Sequence, residues 1–223
     1  MSMSARDVIM MEVRASLGAS KQTKQAAFEI QADADALLDE PDAVRPALTS
    51  SDVVESFCTR ATGPKVNATL DRVADVTEIT RAIAAYLDGI ELPLVVATAP
   101  HATLRALDWE DAGFQRVDTA DDGVFIAIAQ WAIAETGSVV FHSGAETPIL
   151  SNFLAGTQIV VMPKSSIVGH LEDYIEAARA SGDPAPRNAC LVTGPSGTSD
   201  IEGAFVRGAH GPRNVHIIVV DTL

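Results

Sequence analysis

From residue 64 onward, short apolar runs alternate with segments of helical periodicity, and few folds accommodate that rhythm. Residues 92–98 (LPLVVAT) and 158–162 (QIVVM) are apolar runs punctuated by Pro93, Pro100 and Pro163. Runs this short and this apolar suit strands buried on both faces, as in a parallel sheet. Between them lie helical patterns. Ile79, Ile83 and Leu87 recur at helical spacing over residues 76–87, with Gly89 after them. Ile167, Leu171, Ile175 and Ala178 line one side of a predicted helix over residues 165–181, and Glu172, Asp173 and Glu176 another. Further strands are predicted over 66–70, 113–118, 139–142, 189–193 and 215–221, and short helices over 101–107 and 149–155. Residues 124–133 read equally as strand or buried helix. A helix is also predicted from Ser199. The alternation predicts an α/β fold, a mostly parallel sheet with helices on both faces.

Residues 1–63 carry no strand signal and read as a helical N-terminal arm. Val8, Met11, Val13 and Leu17 suit one helical face, with Gly18 as the stop, and residues 21–38 form a second helical stretch. A short helix over 52–62 places Cys58 on an apolar face with Val54 and Phe57. Such an arm either packs on a neighbouring subunit or covers its own core. Residues 64–223 form the α/β domain.

Apolar residues make up 47% of the 223-residue chain and charged residues 21%, an ordinary globular balance. The net charge of −14 repels phosphate backbones and argues against nucleic acid as a partner. It leaves room for a small anion, because local backbone donors can outweigh a distant field. Cys58 and Cys190 lie far apart without a CxxC, so neither an iron–sulfur cluster nor structural zinc is expected within this chain. They read as one disulfide or as two buried thiols, and a reducing cytosol suits thiols. Charges at Arg6, Asp7, Glu12 and Arg14 stand where a signal peptide needs an apolar run, and no stretch is long and apolar enough to span a membrane. A cytoplasmic protein is expected.

Chemistry concentrates in residues 191–212, LVTGPSGTSDIEGAFVRGAHGP. A strand, the small-residue turn Gly194-Pro195-Ser196-Gly197 and a helix start at 198–202 would gather unpaired N–H groups at one point, which attracts anions. Gly194, Ser196, Thr198 and Asp200 are the candidate ligand-binding residues there. Ser199 and Glu202 have capping-box spacing, which explains them structurally. There is no GxGxxG and no GxxxxGK[ST], so the common nucleotide loops are absent. Two further segments carry candidates. In Ala134-Glu135-Thr136-Gly137, Glu135 reads either as a general base or as a solvated turn residue, with Thr136 and Gly137 beside it as ligand-binding candidates. His210, before the Gly211-Pro212 turn, is the third catalytic candidate after Glu135 and Asp200. The other histidines, His101, His142, His170 and His216, show no metal spacing, and no metal site is expected.

AETGSVV at 134–140, QIVVMPKSSIV at 158–168, GPSGTSDIE at 194–202 and GAHGP at 208–212 together resemble the LUD-domain family, and within it the lactate-utilisation protein C branch. The resemblance runs over roughly residues 65–222. It implies a fold like that of the ribose-5-phosphate isomerase, glucosamine-6-phosphate deaminase and CoA-transferase group. It also implies a subunit of a lactate utilisation system that oxidises L-lactate to pyruvate. In that system the iron–sulfur clusters sit in partner proteins and this chain holds no cofactor of its own. The alternative is a stand-alone enzyme acting on a small carboxylate, phosphate or acyl substrate. One departure is visible. Gly197 stands where the family commonly has Arg or Lys after Gly-Pro-Ser, which removes a charged partner for an anion.

Overall fold

The computed structural model describes residues 5–16, 27–201 and 204–223. The chain divides into two units, Met1–Pro46 and Ala47–Leu223. The first contains helices α1 (Ala5–Ser16) and α2 (Ala27–Asp39); Leu17, Gly18 and the start of the second helical stretch lie outside the described residues. The expected arm extends further, to residue 63. Helix α3 (Val53–Thr62), started by Asp52 whose Oδ1 accepts from Val54 N, buries Phe57 and Ala61 in the core of the α/β unit and belongs with it.

A six-stranded, wholly parallel sheet forms the centre of the second unit. Its strands are β1 (Thr69–Asp75), β2 (Val95–Thr98), β3 (Gln115–Arg116), β4 (Val124–Ile128), β7 (Thr157–Pro163) and β12 (Asn214–Thr222), in the order β1-β12-β7-β4-β2-β3. Register is set by Val73 against Val220, Ile217 against Val160, Val160 against Ala127 and Phe125 against Ala97. Every residue of β4 is buried, as are Thr157 through Met162 of β7, so both faces are covered and side chains need not alternate in polarity. The predicted apolar runs 92–98 and 158–162 are β2 and β7, and β1 and β3 are the edges. Helix α4 (Ile79–Gly89) buries Ile79, Ile83 and Leu87, the stripe its periodicity predicts. Helices α5 (Ala102–Ala106) and α6 (Ile149–Leu154) are short connectors.

A second sheet of four strands has the order β8-β5-β6-β9. It contains β5 (Trp131–Ile133), β6 (Ser138–His142), β8 (Ile167–Val168) and β9 (Ala189–Val192). Val139 and Phe141 face the main core, while Ile133 and Val140 pack with Tyr174 of α7 (Leu171–Ala180) in a separate cluster. The ambiguous stretch 124–133 is therefore two strands in different sheets, broken at Ala129-Gln130.

Two predicted helices are corrected. The segment 165–181 is helical only from Leu171, because Ile167 and Val168 are taken as a strand by β5, paired to Ala132 and Ile133. The segment after Ser196 is no helix. It is a β-hairpin of β10 (Gly197–Ile201) and β11 (Ala204–Arg207), with Gly197 opposite Arg207 and Thr198 opposite Val206. Gly203 in the middle of the segment disfavours a helix by about 1 kcal/mol, and β-branched Thr198, Ile201 and Val206 suit strands.

Candidate functional site

With no helix behind Ser196, the turn at 194–197 has no dipole and no first-turn donors to offer an anion. What the fold builds there is a pocket. It starts from the β5–β6 hairpin turn, where Gly137 N donates to Ile133 O (2.9 Å) and Gly137 takes φ +72°. A Cβ at Gly137 would lie 2.8 Å from Ala61 N, so this glycine lets the turn seat on α3. A chain of hydroxyls leads onward. Thr136 Oγ1 and Ser138 Oγ are 2.7 Å apart, and Ser138 Oγ and Thr193 Oγ1 are 2.7 Å apart. Thr193 follows β9, and the next residue is Gly194.

Gly194 has φ +76°, and a Cβ on it would come 2.0 Å from Val66 O. The chain can turn here only with glycine. The turn is then tied to the 208–212 loop by two backbone bonds, Ser196 N to Pro212 O (2.8 Å) and Gly208 N to Ser196 O (2.9 Å). Arg213 holds the other side of this loop. Its guanidinium is 2.8 Å from Asp122 Oδ1, and Arg207 Nε donates to its carbonyl at 2.7 Å. A cavity of about 180 Å³ is left between these pieces, lined among others by Asn152, Gln158, Thr193, Gly194, Ser196 and His210. It opens at the amino ends of β7 and β12, where Gln158 is the second residue of β7 and Pro212 precedes β12.

Asn152 and Gln158 define the chemistry of this pocket. Asn152 on α6 is 1% exposed and Gln158 is fully buried. No side-chain nitrogen or oxygen of either amide has a hydrogen-bond partner in the protein. A buried amide left unpaired costs about 1–3 kcal/mol per group, and buried polar groups are paired in the great majority of cases. Both residues belong to the wall of the cavity, and their two NH₂ donors and two carbonyl acceptors lie beneath its surface, shielded from solvent. A carboxylate in the cavity would meet no lysine or arginine side chain among the described residues.

The structure separates the candidates that the sequence put together. Gly194, Ser196 and His210 line the pocket. Thr136 reaches it only through the hydroxyl chain, and Gly137 is a packing glycine outside it. Thr198 sits in β10 and is not among the lining residues. Asp200 contributes its backbone to β10; its side chain and all of Glu202 lie outside the described residues. Glu135 anchors the start of α7: its Oε2 accepts from Leu171 N (3.3 Å), and its own N–H donates to Gly169 O (2.9 Å). Asn152 and Gln158 are not among the residues that sequence reasoning selects. The available signal was an amide inside an otherwise apolar strand, QIVVM, where a buried polar group has to find a partner.

Both cysteines are free, and burial pushes both thiols above their ordinary range. Among the described residues no group of three or more His, Cys, Asp or Glu side chains could hold a metal ion, and no helix is long and apolar enough to cross a membrane.

Comparison with known proteins gives a consistent picture. A family model described as "LUD domain" matches residues 96–220. A lactate utilization protein C from Geobacillus thermodenitrificans (strain NG80-2) is 38% identical over 112 residues, covering 48% of this chain and 47% of that protein. One from Bacillus subtilis (strain 168) is 34% identical over 120 residues, covering 51% and 50%. The chain thus spans about half the length of the curated relatives it matches. A solved structure of a DUF162 family protein from Deinococcus radiodurans superposes with a TM-score of 0.52 at 21% identity, covering 78% of this chain and 99% of that one. That likeness shows a shared α/β fold.

Proposed function

The chain belongs to the LUD-domain family, and from that premise we propose that it is the non-redox subunit of a lactate utilisation system. In this reading it holds a small 2-hydroxy or 2-keto carboxylate in the Asn152–Gln158 pocket, and electron transfer takes place on iron–sulfur partner proteins. Relatives carrying the name lactate utilization protein C support the system. The observation that supports the ligand is the pair of buried, unpartnered amides. A cavity of about 180 Å³ suits a ligand of a few heavy atoms, and the amide donors, the Ser196 hydroxyl and His210 are matched to a carboxylate without a fixed cation.

The amides also set a preference. Their two carbonyl oxygens need donors. Lactate brings a hydroxyl proton to one of them; pyruvate brings only acceptors and leaves both unpaired. Leaving a buried acceptor unpaired costs about 1–3 kcal/mol, so lactate should bind roughly tenfold or more tightly than pyruvate.

The test is a thermal-shift titration with lactate, pyruvate, phosphate and sulfate, since a ligand that binds only the folded state raises Tm with its concentration. Lactate should raise Tm at lower concentration than pyruvate. The response should vanish in Gln158→Met, a change that keeps side-chain volume and removes the amide. A response unchanged in Gln158→Met, or no response to any of the four, contradicts the reading.

A further inference from the structure

Another cavity of the α/β unit lies at the opposite end of the sheet. It measures about 490 Å³ and lies beyond Ile128, the last residue of β4, and Pro163, the last of β7. Parallel α/β sheets bind ligands in the crevice outside the carboxyl ends of their strands, and this cavity occupies that position. Nothing in the lactate reading uses it.

Its walls have a definite chemistry. Trp131 and Tyr174 meet edge-on, with ring centroids 6.4 Å apart at 62°. His142 packs against the same tyrosine at 5.8 Å and 60°, and its Nε2 lies 2.8 Å from Tyr174 Oη. Burial holds His142 below the ordinary imidazole range against the pull of Asp183, so the ring is neutral at pH 7. Asp183 lines the mouth and is exposed. Across the cavity His101 Nε2 is 3.9 Å from Glu146 Oε2, a carboxylate shared with Arg105 at 3.4 Å. No lysine or arginine is among the residues lining the cavity. Tyr174 is buried behind the wall with Ile133 and Val140, and the half-buried Trp131 ring beside a carboxylate, with no lysine or arginine in the lining, attracts positive charge and repels anions.

We propose that this cavity is a second ligand site, for a small organic ammonium, which sets its charged group between Asp183 and the Trp131 ring. It is separate from the amide pocket in position and opposite to it in the charge it selects. A single protein could therefore hold a carboxylate at one end of the sheet and an amine at the other.

An isosteric series separates charge from shape: benzylammonium, benzyl alcohol and benzoate. The sequence has two tryptophans, and Trp109 is 2% exposed, so a ligand-induced fluorescence change reports Trp131. Benzylammonium should give saturable quenching and bind about tenfold or more tightly than benzyl alcohol, with benzoate weakest. Asp183→Asn, at an exposed position, should lower benzylammonium affinity several-fold and leave benzyl alcohol unchanged, and Asp183→Glu should restore the preference. Trp131→Phe should abolish the fluorescence change while the thermal shift by benzylammonium persists. Benzoate binding as tightly as benzylammonium, cation affinity indifferent to Asp183→Asn, or no saturable response to benzylammonium overturns the proposal. Lactate binding is unaffected by any of these outcomes, so this site and the amide pocket stand or fall apart.

Discussion

Gly194 is the residue on which the pocket geometry turns. Its φ of +76° and the 2.0 Å approach of a hypothetical Cβ to Val66 O leave no relaxed position for a side chain. Gly194→Ala should therefore cost about 3 kcal/mol or more, beyond the 1 kcal/mol or so of left-handed backbone alone, and urea unfolding checks it. Ser138 matters for a different reason. Its hydroxyl is the middle member of the Thr136–Ser138–Thr193 chain and is 2% exposed. Ser138→Ala removes both of these bonds, but Thr136 and Thr193 are exposed and can turn to water, so the change should cost about 1 kcal/mol or less. Another buried polar residue, His216, behaves as structure. It stacks on Tyr86 at 3.8 Å and 8°, with Nδ1 2.9 Å from Thr69 Oγ1. Burial lowers its pKa to about 4 although Asp71 pulls upward, and the 3.5 Å approach of Asp71 Oδ2 to Nε2 does not make a hydrogen bond. The folded-state value lies below the ordinary 6.5. The stabilising effect of keeping the ring neutral is then complete above pH 6.5 and is lost as pH falls from 6.5 to 4. Unfolding midpoints measured across that window should fall with acid, and His216→Phe, which keeps the stack on Tyr86, should flatten the fall.

Among the elements, what can be read from the chain divides by the kind of information each needs. The central strands of the parallel sheet are legible, because a strand buried on both faces is built of apolar residues, as 159–162 are, whereas the mostly exposed β1 begins at Thr69, beyond the start of the expected strand at 66–70. Helix α4 is equally plain: its stripe of Ile79, Ile83 and Leu87 is local information. The β10–β11 hairpin reads as a helix start because Ser199 and Glu202 have the spacing of a capping box, while the pairing of Thr198 with Val206 and the docking of Ser196 on Pro212 are tertiary. The same holds for β8, where two residues of an apparently helical stripe are recruited by β5. That recruitment also conceals the role of Glu135. Once α7 is seen to begin at Leu171, Glu135 becomes its anchor, holding Leu171 N at 3.3 Å. Glu135→Ala should then cost about 1 kcal/mol of stability and leave lactate affinity unchanged; a carboxylate that holds the ligand would show the reverse pattern. The site residues follow the same division. Gly194, Ser196 and His210 stand out as small or titratable groups in turns. Asn152 and Gln158 do not, since a buried amide is recognisable only when its lack of a partner is.

For the molecule as a whole, the parallel sheet gives two ends with opposite tastes. At the amino ends, neutral amides, a serine and a histidine form a pocket of about 180 Å³ suited to a small carboxylate. At the carboxyl ends, rings and a carboxylate form a cavity of about 490 Å³ suited to a cation. The net charge of −14 works against anion capture from a distance, so the proposed lactate affinity would rest on the short-range donors and should rise when salt screens the global field. The most direct measurement is a crystal structure with lactate. The account predicts lactate in the pocket, with oxygens within hydrogen-bond distance of the Asn152 and Gln158 amides and the Ser196 hydroxyl. Lactate bound elsewhere, or these amides paired only with ordered water at saturating lactate, would contradict it.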